Sequence, residues 1–113
     1  MTLDRLENAL AELNPDDGDI ETAELVVRED VLVKLFALGP GAELDTHEHA
    51  DSTNVFHIVS GTVTVIQDDG DGETEAAIDA PGVILHDRGV AHGARNETDE
   101  VVAFTASLCP LPS

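Results

Sequence analysis

Residues 41–61 begin Gly41-Ala42-Glu43-Leu44-Asp45-Thr46-His47-Glu48-His49 and run on through Asn54 and His57 to Gly61. The stretch reads as extended chain entered through the turn Gly39-Pro40-Gly41. Side chains alternate between the faces of a strand, so His47 and His49 share a face and Glu48 points the other way, into solvent. A third histidine, His92, follows Gly89 and precedes Asn96. Borderline divalent metals favour neutral imidazole nitrogen, and three converging nitrogens leave a coordination position open for water or substrate. The pattern points to a metal site made by His47 and His49 on one strand and His92 on a facing one.

Working outward, short apolar or β-branched runs surround this stretch. Leu25-Val26-Val27, Val31 to Leu38, Ala42 to His49, Asn54 to Ser60, Thr62 to Gln67, Glu73 to Ile78, Gly82 to His86, Ala91 to Asn96 and Val101 to Leu108 all have strand length. Their regular spacing between turn signals predicts a β-sandwich or barrel over residues 24–109. Asp68-Asp69-Gly70-Asp71-Gly72 alternates acids like part of a calcium loop, but its strand-like flanks make it a hairpin turn. Before the barrel, Leu3, Leu6, Leu10 and Leu13 form one helical stripe, with Thr2 as N-cap and Asn14-Pro15 as stop. Residues 1–14 are therefore expected to be a short helix docked on the single domain of residues 1–113.

Composition narrows the function classes. The chain carries 24 Asp and Glu against 5 Lys and Arg, a formal net charge of −19, and Lys34 is the one lysine. The acids are spread along the chain, not gathered in a tail, which predicts a globular protein adapted to high salt. Nucleic acid and anionic membrane are disfavoured as partners by the same charge. No membrane-length apolar run and no basic leader followed by an apolar block are present, so a cytoplasmic location is expected. A single cysteine, Cys109, excludes an intramolecular disulfide and is expected to be a small buried hydrophobe. With three Phe as the sole aromatics, aliphatic packing must dominate the core.

The spacing resembles that of the cupin superfamily. Gly41, His47, His49, Asn54 and Gly61 fall on the first cupin motif, with Asn54 where cupins carry Glu. Gly89, His92 and Asn96 match the end of the second motif, in which Asp87 replaces Pro and Pro81 replaces the leading Gly. The resemblance covers residues 41–96 and implies an all-β, double-stranded β-helix, a jelly-roll barrel. It further implies one divalent transition metal (Fe, Mn, Zn, Ni or Cu) held by His47, His49 and His92, with Asn54 at the fourth ligand position. A small-molecule substrate or ligand and a homodimer are also implied. Both an oxygenase- or isomerase-type enzyme and a non-catalytic binder for sensing or storage fit the resemblance.

Three more residues are candidates for the pocket: His57 and His86 as proton-transfer groups, and Arg88 as a carboxylate holder. On strand parity, His57 faces away from Asn54 and Arg95 away from His92, so Arg95 is expected to be an ion-pair partner.

Overall fold

A computed structural model describes residues 5–112. Helix α1 spans Arg5–Glu12, and nine strands follow: β1 Ile20–Val27, β2 Leu32–Leu38, β3 Glu43–His47, β4 Thr53–Ser60, β5 Thr62–Asp68, β6 Glu73–Asp79, β7 Gly82–His86, β8 Ala91–Arg95 and β9 Val102–Cys109. They form two antiparallel sheets, ordered β1-β2-β9-β4-β7 and β3-β8-β5-β6. This is the jelly-roll barrel expected from the sequence. The proposed N-cap Thr2 and the first leucine of the stripe, Leu3, lie outside the described residues.

Alternation along each strand sends one set of side chains between the sheets. Leu38 on β2, Phe56 and Ile58 on β4, Val63 and Val65 on β5, Ala94 on β8, and Phe104 on β9 meet there. Burying the larger of these side chains contributes on the order of 2 kcal/mol each. A smaller cluster lies on the outside of the five-stranded sheet. There Leu6, Ala9, Leu10 and Leu13 of the helical stripe cover Leu25, Leu35 and Ala103. Among the described residues, no helix is long and apolar enough to cross a membrane.

Two boundaries and one burial differ from the sequence reading. β1 begins at Ile20, earlier than the residue 24 expected, because Glu21, Thr22 and Glu24 are exposed on an edge strand and hide its apolar periodicity. β3 stops at His47, so His49 lies just beyond the strand. Cys109 is exposed, not buried: Ala106 and Leu108 point inward, and the next residue falls on the opposite face at the end of β9.

The turns behave as read. In the Asp68–Gly72 loop the Asp68 and Asp69 carboxylates accept hydrogen bonds from the backbone N–H of Gly70 and Asp71, at 2.9 and 3.1 Å. Asn96 closes the end of β8. Its Nδ2 donates to the carbonyls of Leu38 and Glu100, and its Oδ1 accepts from Thr98 N and Oγ1. Those bonds satisfy a fully buried amide and fix the connection into β9.

Candidate metal centre

The site is built by a break in strand alternation. β3 pairs with β8 so that Leu44 faces Ala94 and His47 faces His92, which sets three steps on one strand against two on the other. The extra residue is a β-bulge, and a bulge reverses the parity of everything after it. Leu44 and His47 would lie on opposite faces of a regular strand, yet both line the same cavity. The opposing residue is Gly93, where a Cβ would come within 2.7 Å of the Leu44 carbonyl oxygen and 3.3 Å of Thr46. Only glycine lets the bulged backbone approach this closely. His92 thus joins the cluster from the neighbouring strand of the same sheet, not from a facing one.

His47, His49 and His92 each offer a ring nitrogen, and these nitrogens all lie within 4.8 Å of one another. His47 Nδ1 donates to the Asp45 carbonyl at 2.9 Å, and His92 Nδ1 donates to the Val90 carbonyl at 3.0 Å. A carbonyl oxygen can only accept, so both rings carry the proton on Nδ1 and present a lone pair at Nε2. Such backbone contacts orient the ring and set the tautomer of a metal-binding histidine. Burial, opposed by the Val90 hydrogen bond and reinforced by His47 and His49, lowers the His92 pKa to about 4. Burial and then His47 lower that of His49. At neutral pH both rings are neutral, the form that binds metal.

Asn54 comes from β4 in the opposite sheet and is 2% exposed. Its Nδ2 donates to His92 Nε2 at 2.9 Å, and its Oδ1 has no partner among the described residues. His86 stands opposite Asn54 in the β4–β7 register and is fully buried. Its ring stacks on His92 with centroids 4.3 Å apart and an interplanar angle of 12°. Gln67 Nε2 donates to His86 Nδ1 at 2.8 Å, which places the His86 proton on Nε2, where no partner is found among the described residues. Burial, with His92 and His47 adding repulsion, lowers the His86 pKa to about 3. Each unpaired buried polar atom costs about 1–3 kcal/mol. The Asn54 oxygen is an acceptor beside the three ring nitrogens, and this donor set fits a divalent transition metal, whereas the His86 N–H is a donor that a cation would leave unpaired.

The cavity over the cluster has a volume of about 180 Å³ and is lined by Leu32, Lys34, Phe36, Leu44, His47, His49, Asn54, Phe56, Ala106, Leu108 and Pro112. All three Phe lie beneath it in one aromatic run: Phe36 stacks on Phe104 at 5.1 Å, Phe104 meets Phe56 at 4.6 Å, and Phe56 meets His86 edge-on at 4.3 Å.

The remaining expected pocket residues separate. His57 is exposed on the outer face of β4, as its parity requires. Arg88 is exposed in the turn between β7 and β8 and is not part of the cavity lining, because that turn carries its side chain outward. His86 lies behind His92 and does not line the cavity. Arg95 bonds Glu75 at 2.6 Å and Glu97 at 2.7 Å and lies 3.9 Å from Glu43, the ion-pair role expected of it. Sequence reasoning passed over Gly93 and Lys34. Lys34 was discernible: it alternates with Leu32, Phe36 and Leu38, which places it on an inward face.

Residues 34–108 match the family model described as the cupin domain. A search of curated proteins gives no match. Among solved structures, a Thermus thermophilus protein superposes with a TM-score of 0.80 at 26% identity, covering 94% of this chain and 95% of its own. A conserved double-stranded β-helix protein from Klebsiella pneumoniae gives a TM-score of 0.77 at 22% identity, covering 88% and 84%. A Thermotoga maritima protein described as a predicted oxalate decarboxylase gives 0.73 at 23% identity, covering 81% of each chain. Fold, motif spacing and the family match agree: this chain belongs to the cupin domain family.

Proposed function

We propose that this chain is a metal-dependent cupin that acts on a small molecule, with one divalent transition metal held by His47, His49 and His92. The observation that carries the reading is the convergence of three ring nitrogens within 4.8 Å of one another at a cavity of about 180 Å³. A metal bound there supplies Lewis acidity or oxygen activation.

The chain's own residues prepare the site in three ways. The backbone carbonyls of Asp45 and Val90 hold the His47 and His92 rings with the proton on Nδ1 and the lone pair on Nε2, where that of His92 accepts from Asn54 Nδ2. Asn54, standing where a carboxylate is common in this family, leaves the donor set neutral, so the full dication charge is available to polarise an anionic substrate. Leu32, Leu44, Phe56 and Leu108 line the cavity with apolar surface, which excludes water and strengthens electrostatic contacts. These features favour oxygenase-type chemistry.

A second reading, a non-catalytic binder for sensing or storage, draws on a different observation. No carboxylate lines the cavity among the described residues, so proton transfer there would rest on imidazole and the Lys34 ammonium. Oxygen uptake by the metal-loaded protein against a panel of small carboxylic acids separates the two. Metal-dependent uptake is expected for the enzyme. Ligand binding without uptake would assign the binder.

A further inference from the structure

Lys34 is the one lysine in a chain with 24 acidic residues, and it points into the cavity. Its strand neighbours of the same parity, Leu32 and Phe36, line the cavity with it. Across the β2–β9 pair it faces Ala106, whose small side chain leaves room above the sheet. Its Nζ lies 5.4 Å from the centroid of the Phe36 ring, a cation–π contact that holds the ammonium over the aromatic floor.

No acid among the described residues neutralises it. The ion pairs found among them are those of Arg95 with Glu43, Glu75 and Glu97. Glu24 stands opposite Lys34 in the β1–β2 register, yet it is exposed and forms no ion pair with it. A half-buried cation left unpaired in so acidic a chain is poised to receive an anion.

We propose that Lys34 is the specificity-determining residue of the cavity and binds the carboxylate of a short-chain monocarboxylic acid. One cation matches one negative charge. The apolar lining from Leu32, Phe36, Leu44, Phe56, Ala106 and Leu108 matches an alkyl body. The volume of about 180 Å³ corresponds to about six waters at ~30 Å³ each, which sets the ligand as small. Lys34 on β2 and Asn54 on β4 are two strands apart and two residues out of register, roughly 12 Å between backbones at the usual strand spacing and rise. The ligand's far end therefore reaches toward the histidines while its carboxylate rests at Lys34. This assignment rests on the three-histidine reading for that second contact, but not for the first.

The test is calorimetric titration of straight-chain carboxylates from acetate to hexanoate, and of the matching neutral amides, into the metal-loaded protein. Wild type is expected to prefer the acid over its amide at least tenfold. Lys34→Met should abolish that preference, Lys34→Arg should retain most of it, and metal affinity should be unchanged in both variants. If wild type binds no carboxylate, binds acid and amide equally, or keeps its preference in Lys34→Met, the proposal is overturned. Rescue by Lys34→Arg excludes a folding artefact. Titrating the same probes into His92→Ala separates the two claims. An acid preference that survives without metal uptake supports the Lys34 anchor, and the metal reading is judged by metal uptake in wild type.

Discussion

Leu44 and His47, three residues apart on one strand, line the same cavity. A regular strand would place them on opposite faces. The bulge opposite Gly93 supplies the missing half-period, so the three-histidine cluster depends on a residue that carries no side chain.

Gly93→Ala is therefore expected to damage the centre without touching a histidine. The added methyl meets the Leu44 carbonyl oxygen at 2.7 Å, a backbone atom that cannot rotate away. The expected cost is about 1–3 kcal/mol of stability, with metal affinity lowered by at least tenfold. Thermal melts and metal titration of the variant check this, and unchanged metal affinity would show that the bulge does not set the site.

The buried histidines make the metal-free protein acid-sensitive. His92 and His86 are held near pKa 4 and 3 by burial, whereas the unfolded chain takes up protons at the ordinary value of 6.5. As pH falls from 6.5 toward 3 the unfolded state binds more protons than the folded one, so stability falls. Well above 6.5 both states are neutral at these groups and their contribution is complete. Denaturant melts from about pH 7 to about pH 4 should show the midpoint decreasing in wild type. The slope should flatten in His86→Phe, and an equal slope would remove His86 as a cause.

Asn54→Glu should have opposite effects with and without metal. A carboxylate replacing an amide that lies 2.9 Å from His92 Nε2 adds a charged ligand, so metal affinity should rise at least tenfold. In the metal-free protein the same carboxylate is buried without a partner, and the melting temperature should drop. An unchanged metal affinity would place Asn54 outside the coordination sphere.

Much of this was legible in the sequence, and most of the exceptions share a cause. Period-two alternation and glycine turns are local signals, and they marked the strands of the barrel and the matched histidines. The partner of Asn54, the stacking of His86 on His92, and the close approach at Gly93 depend on which strands become neighbours. No window of sequence states that. β1 was partly hidden because an edge strand alternates weakly. Lys34 was different. Its inward parity was readable, and its meaning emerged once the structure placed it in the same cavity as His47 and His49.

We also propose that salt stabilises the fold. The net charge is −19, and Arg95 alone is shared among Glu43, Glu75 and Glu97. Self-repulsion is screened within ~3 Å at 1 M salt but reaches ~30 Å at 0.01 M. The melting temperature should fall on desalting, and a flat profile would refute adaptation to high salt.

The most direct test of the central claim is the metal content of the purified protein, measured after growth with Fe, Mn, Zn, Ni and Cu and again after reloading the stripped protein. One metal ion per chain is expected, lost in both His47→Ala and His92→Ala while circular dichroism stays that of a β-barrel. Absence of metal under every condition, or full occupancy in both variants, would contradict a three-histidine metal centre.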